Sequence, residues 1–242
     1  LFDDDMESGA GQFSVSHGDG TLDWALGTIN NHSNDPTDPN APGHAWFADS
    51  PADLSDQYLE MTTDVRITPE AQLRFWHHYT TERNFDGGRV EFSADQGLNW
   101  FGTTIGQIVQ NSYNTTISAA SNSAIANRSA FSGAGGGYIE TIVDLTPYVG
   151  TDIRARFRLA SDSVVTVNGA GWYVDDVHIG TLFNLTNRAS ARGSAIQDAQ
   201  LVVEITESTN NPPALGLTSL PEALVNTLFS VTFTPTDPDP TD

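Results

Sequence analysis

The chain of 242 residues has no cysteine and no lysine. The first absence excludes a disulfide framework, a thiolate metal site and a cysteine nucleophile together. It does not exclude secretion, because a chain of this length can bury a core large enough to fold without crosslinks. The second absence leaves ten Arg as the only basic residues besides His, against 31 acidic ones, for a net charge of −21. So acidic a surface repels nucleic-acid backbones and anionic membranes. Apolar runs are short as well. None approaches the roughly 20 residues of a membrane helix, and the sequence opens on Leu1-Phe2-Asp3-Asp4-Asp5 rather than on a basic segment of the kind that starts a signal peptide. That abrupt opening reads as a mature product or a fragment of something larger.

What is present points to a packed domain. Hydrophobic residues make up 38% and aromatics 10%, with five Trp, which excludes wholesale disorder. Acidic residues divide into 22 Asp and 9 Glu. Asp favours turns and loops, where short carboxylates can surround a hard cation such as calcium; solubility alone accounts for the same bias.

Period-2 alternation is clear and helical periodicity nearly missing. Residues 73–79, 89–93, 138–144, 153–159 and 172–179 read as strands. Turn signals stand between them, at Asp86-Gly87-Gly88, Asp95-Gln96-Gly97 and Pro147-Tyr148-Val149-Gly150. Short strands with Gly-rich connections imply an all-β sandwich or barrel; of these, a two-sheet antiparallel jelly-roll sandwich over residues 1–180 is the expectation. The connections at about 27–51 and 110–137 exceed turn length, which makes them functional or disordered. Residues 181–209 read as a trailing strand and linker, with a strand at 201–205. Residues 210–242 add two alternating strands, at 215–218 and 229–234, too few to close a sandwich. Open strands of that kind invite pairing with another subunit, unless the chain continues beyond them.

Catalytic motifs are scarce: there is no Gly-x-Ser-x-Gly elbow, no His-Glu-x-x-His and no phosphate-cradling glycine loop. The expectation is therefore a non-enzyme. His77 and His78 are adjacent on a strand and face opposite ways, so they read as structural rather than as a chelating pair. Glu82 and Asp86 share one loop; as a glycosidase pair they are less convincing than as solvated or cation-binding carboxylates. Ser93-Ala94-Asp95-Gln96-Gly97-Leu98-Asn99-Trp100 resembles an Asp-box hairpin, in which the Asp caps the turn.

Taken in order, the motifs carry more. Asp4-Asp5-Met6-Glu7-Ser8-Gly9 opens the module and His44-Ala45-Trp46-Phe47 follows the first long loop. Ser55 to Met61, Leu73 to His78 and Phe85 to Ser93 come next, and Gly171-Trp172-Tyr173-Val174-Asp175-Asp176-Val177-His178-Ile179 closes it. This order resembles the MAM-like jelly-roll modules of secreted bacterial peptidases and is similar to cleaved-adhesin modules of surface proteases. The segment after Asn210 resembles the start of an Ig-like repeat. The resemblance implies a non-catalytic, extracellular or cell-surface module for adhesion or assembly, with a structural calcium near the joined ends of the sandwich. Carried onto this sequence, the ligands would be Glu7, Asp175 and Asp176, with Asp5 and Asp56 as helpers. A carbohydrate-binding module and an accessory domain of a secreted peptidase are the alternatives, so the implied partners are other subunits, surface proteins or glycans.

Independently of family, alternation turns Arg74, Trp76 and His78 outward on one strand, Arg89, Glu91 and Ser93 on a second, and Arg154, Arg156 and Arg158 on a third. If the three share a sheet, they form a basic patch containing a Trp. Such a patch is either a solvated face of Arg–Glu pairs or a docking face for an acidic partner or anionic glycan.

Overall fold

The computed structural model describes residues 2–28, 43–164, 167 and 169–181. The chain divides into two units, 1–182 and 183–242, and every described residue belongs to the first. The strands expected at 201–205, 215–218 and 229–234, and much of the 27–51 connection, lie outside the described residues.

Among the described residues fifteen strands follow one another: β1 (Phe2–Asp4), β2 (Phe13–His17), β3 (Ala25–Gly27), β4 (Ala45–Asp49), β5 (Ser55–Met61), β6 (Val65–Arg66), β7 (Gln72–Thr80) and β8 (Gly87–Ser93). Then come β9 (Phe101–Gly102), β10 (Ile108–Gln110), β11 (Thr115–Thr116), β12 (Ser129–Ala130), β13 (Ile139–Asp144), β14 (Asp152–Ser161) and β15 (Gly171–Gly180). Among the described residues there is no α-helix, and hence no helix long and apolar enough to cross a membrane.

Among the described residues all strand pairing is antiparallel. The first sheet runs β10-β13-β7-β15-β4-β3, and β1 pairs with the far end of β15, setting Asp4 opposite Val177. The second runs β2-β5-β14-β8-β9, with β6 added on β14. The core lies between them because each long strand alternates. Leu73, Phe75, His77 and Tyr79 of β7 are buried, as are Val90 and Phe92 of β8, Ala155, Phe157 and Leu159 of β14, and Trp172 and Val174 of β15. Phe157 of the second sheet lies 5.0 Å from Phe75 and 5.8 Å from Trp172 of the first, ring centre to ring centre. Such edge-to-face pairs add about 0.5–1.5 kcal/mol each beyond burial.

His77 belongs to this core. Trp172 Nε1 donates to its Nδ1 at 3.1 Å, and its Nε2 lies 2.8 Å from Thr141 Oγ1. Burial, with a smaller effect from His78, pushes its pKa down to about 3. The ring is a neutral structural element.

β15 would lose its alternation past Val174 but for a bulge. From Asp175 to His178 it advances three residues while β7 advances two, from Trp76 to Arg74, and Asp176 takes the left-handed φ of 47°. The extra residue returns Val177 and Ile179 to the core.

The connection at 110–137 is folded. It carries the β11–β12 hairpin, Phe131 exchanges two backbone hydrogen bonds with Gly88, and Ile117, Ile125 and Ala130 pack with Ala160 in a small second cluster.

Candidate functional site

Three features outside the core carry chemistry. At one end of the sandwich, the turn after β7 supplies Glu82, the residue before β8 is Asp86, and the residue after β14 is Asp162. Their carboxylates offer oxygens within 4.8 Å of one another, and among the described residues no other three potential ligands are so grouped. Asp86 is buried, accepting the Asp162 amide at 2.8 Å on Oδ1 and the Ser50 hydroxyl at 2.9 Å on Oδ2. Asp162 is also buried, and Glu82 Oε2 is enclosed without a hydrogen-bond partner. Among the described residues no Arg is ion-paired with any of the three. Burial, partly offset by those two hydrogen bonds and reinforced by Asp162 and Glu82, lifts the Asp86 pKa to about 6. Glu82 is shifted up by burial and by Asp162. Concentrated negative charge that no Arg compensates is the chemistry that a hard, oxygen-seeking divalent cation fits. It is a poor hydrolytic pair, since both Asp86 oxygens are already engaged.

The second feature is the outer face of the second sheet. Arg156 reaches Glu91 at 2.6 Å and Glu60 at 3.1 Å, and its guanidinium lies 4.4 Å from the ring centres of both Tyr58 and Trp100. Arg158 makes two 2.7 Å bonds to Asp56, and Arg154 one of 2.6 Å to Asp64. Glu91 also lies 3.3 Å from Arg89 and 3.4 Å from Arg158. The register explains the arrangement: Arg158 stands opposite Arg89, and Glu91, one pair along the same face, neutralises both.

This corrects the expected single patch. Arg74, Trp76 and His78 lie on β7 in the first sheet, whereas Arg89, Glu91, Arg154, Arg156 and Arg158 lie on β8 and β14 in the second. Alternation fixes the face of a strand, not the sheet it joins. Arg89, Glu91 and Ser93 point outward yet are buried, because neighbouring guanidiniums, Trp100 and the close approach of Gly102 to Arg89 cover β8. Arg74 has Glu140 as its neighbour at 3.6 Å.

The third feature occupies the outer face of the first sheet. Tyr173 of β15 is paired directly with Phe47 of β4 on one side and His78 of β7 on the other. The rings follow that register: Phe47–Tyr173 at 4.4 Å, Tyr173–His78 at 5.9 Å and His78–Tyr138 at 5.9 Å. All four are half-buried, and Trp76 lies two residues from His78 on the same face. Burial lowers the His78 pKa, which favours its neutral ring.

The residues expected to hold calcium lie in two places. Pairing of β1 with β15 does bring the opening and closing motifs side by side. Glu7 is occupied by His44, whose amide and Nδ1 meet its two oxygens at 2.8 and 2.9 Å, and Asp5 accepts the Glu7 amide at 3.2 Å. Asp175 is buried and accepts the Asp176 amide at 2.8 Å. None of them belongs to the three-carboxylate group. Asp56 is a correction: it lies in the second sheet, bound by Arg158 and by the Tyr58 hydroxyl at 2.6 Å. Asp162 escaped sequence reasoning because its partners lie 76 and more residues away; the Asp at the end of an alternating run was its one local signal.

No family model and no curated protein matches the chain. Solved structures similar to it include a cleaved adhesin domain of Lys-gingipain from Porphyromonas gingivalis, 16% identical, with a TM-score of 0.43 over 75% of this chain and 98% of that one. Another is TmCBM61 in complex with β-1,4-galactotriose, 12% identical, with a TM-score of 0.38 over 70% and 88%. A third is the glycoside hydrolase domain of Endo-D from Streptococcus pneumoniae, 12% identical with a TM-score of 0.40, of which this chain spans 21%. At such scores the sandwich stands on its own strand pairing, and the structures similar to it include adhesin and carbohydrate-binding modules.

Proposed function

We propose that the chain is a non-catalytic binding module of a secreted or surface-anchored protein, used for adhesion or assembly and stabilised by calcium. The observation that carries the reading is the row Phe47–Tyr173–His78–Tyr138 on the outer face of the first sheet. A sandwich needs apolar side chains on its inner faces only. Half-exposed aromatics set in register across neighbouring strands are rigid, amphipathic and cheap in entropy to hold, the qualities of interface anchors. Their neutrality within a chain of net charge −21 suits an uncharged partner surface. The ion network on the opposite face is internally compensated, which makes it a stabilising lattice rather than a docking face.

The same row favours glycan recognition as the second reading, because rings, Arg74 and Glu140 combine apolar faces with hydrogen-bonding groups. Calcium is supported by the uncompensated carboxylates of Glu82, Asp86 and Asp162 and by the family resemblance. The test is solid-phase binding of the wild type and Tyr173→Ala to a glycan array and to immobilised cell-surface proteins. Saturable binding that the variant weakens at least tenfold supports the row as the binding face. Binding that the variant leaves intact, or no binding to either set, overturns it.

A further inference from the structure

We infer that β2 is a docking edge for an extended, basic-flanked segment of another protein, which joins the second sheet as an added strand. Among the described residues β2 closes one side of that sheet and pairs with β5 alone. The register sets Phe13 opposite Met61 and His17 opposite Gln57. Beyond its two ends, the Thr62 amide donates to the Gln12 carbonyl and the Gly18 amide to the Asp56 carbonyl. Bonded and non-bonded pairs alternate along an antiparallel ladder. Ser14 and Ser16 therefore direct their backbone groups at β5, while those of Phe13, Val15 and His17 point away from it. The Phe13 amide turns back onto the Ala10 carbonyl; the others face outward.

A row of outward amides and carbonyls is the chemistry that another extended backbone completes. Natural edges are protected by brevity, Lys, Pro or a bulge. The other strands that end the two sheets, β3, β9 and β10, have two or three residues each; β2 has five, with no Pro, no Gly and an unbroken register. Val15 stands opposite the core residue Leu59 yet is 38% exposed. An added strand covers it with an apolar side chain of its own, so the fitting segment alternates apolar and polar residues.

Charge at the two ends of the edge gives the partner's sign. At the start, Gln12 Nε2 donates to the Asp3 carbonyl at 2.9 Å, and the Asp3 side chain is 77% exposed. At the finish, Asp19 and Asp23 are exposed. Among the described residues Asp3 and Asp23 are paired only with the imidazoles of His178 and His17, and Asp19 with no cation. The nearby guanidiniums of Arg156 and Arg158 are engaged by Glu60, Glu91 and Asp56. A second copy is a poor occupant, because two β2 strands pairing about a two-fold axis set the Asp3 end of one against the Asp19 and Asp23 end of the other. A segment with Arg or Lys on both sides of an alternating core is the complement. The inference does not rest on the aromatic row, which lies on the first sheet.

The test is fluorescence anisotropy of the full chain with a labelled peptide of alternating Thr and Val, flanked by paired Arg at both ends. The expected result is saturable binding with a Kd on the order of 100 μM or below, as suits a small interface. It should weaken about tenfold between about 0.05 M and about 0.5 M NaCl as screening removes the charge contribution. Val15→Pro deletes an outward amide that β5 does not use, the kind of strand site that accepts Pro. It should weaken binding about tenfold by leaving a peptide carbonyl without its donor, with circular dichroism unchanged. N-methylation of every second peptide amide reads the same contact without altering the protein: one phase abolishes binding and the other leaves it. Tyr173→Ala should leave it intact. No binding at about 1 mM, equal binding of a Glu-flanked peptide, binding untouched by Val15→Pro, or equal effects of the two N-methylation phases overturns the inference. So does a full chain that self-associates and ceases to do so as Val15→Pro, since the edge is then a contact between copies.

Discussion

At the scale of single residues, Glu91 holds the second sheet's outer face together. It is buried, and three guanidiniums, from Arg89, Arg156 and Arg158, lie within 3.4 Å of its carboxylate. Exposed ion pairs contribute little because water screens them; this one is enclosed, and its loss would leave cations facing one another without a counter-ion. Removing one partner of a buried network costs about 3–5 kcal/mol, and part exposure of Arg156 and Arg158 places the effect near the lower end. Glu91→Gln is expected to lower the urea unfolding free energy by about 3 kcal/mol, whereas Glu60→Gln, at the rim, should cost under about 1 kcal/mol. Equal effects of the two variants would show that the network is a set of independent surface pairs.

At the scale of elements, β8 depends on Gly88. Its missing side chain lets the strand lie on the Trp172 indole; a Cβ there would fall well inside van der Waals distance of three ring atoms. Trp172 has no room to withdraw, with Trp24 at 5.5 Å, Phe157 at 5.8 Å and Phe131 at 6.0 Å. Gly88→Ala is expected to cost about 1–3 kcal/mol by overpacking, while Gly106→Ala, with open space around it, should leave the melting temperature unchanged. Comparable melts for both would contradict the packing argument. The elements also mark what a sequence discloses. β7, β8, β13, β14 and β15 were legible because each spans six or more residues, long enough for a stretch of alternation to show. β6, β9, β11 and β12 have two residues each, too short for any period. The Asp-box was legible as a local motif, and Asp95 does accept the Asn99 amide at 2.8 Å to close the turn. Which sheet a strand joins depends on pairing between distant segments; hence the Arg faces were read correctly and their common patch was not. The Glu82–Asp86–Asp162 group was half visible for the same reason, two members in one loop and the third on a remote strand end.

At the scale of the whole molecule, that carboxylate group sits where the two sheets are joined. Glu82 follows β7 of the first sheet, while Asp86 precedes β8 and Asp162 follows β14 of the second. A group whose folded pKa is raised stabilises the native state below its unfolded pKa and loses that contribution as pH rises through the folded value. For Asp86 the window runs from about 3.8 to about 6. At neutral pH, without a cation, its ionisation costs on the order of 3 kcal/mol, at 1.36 kcal/mol per pKa unit. A cation bound only by the native state offsets this by RT ln(1 + [L]/Kd), about 2.7 kcal/mol at one hundred times Kd. Calcium should therefore raise the melting temperature at pH 7.5 and have little effect at pH 4.5, where Asp86 is largely protonated. Glu82→Gln removes one charge without breaking a hydrogen bond, because Glu82 Oε2 has no partner. It should make the chelated protein more stable than the chelated wild type at pH 7.5 and blunt the calcium response. A calcium response that survives Glu82→Gln but disappears in Asp176→Ala would move the ion to the junction of β1 and β15. Melting curves indifferent to both calcium and chelator at pH 7.5 would remove the ion from the molecule and leave three carboxylates that share protons instead.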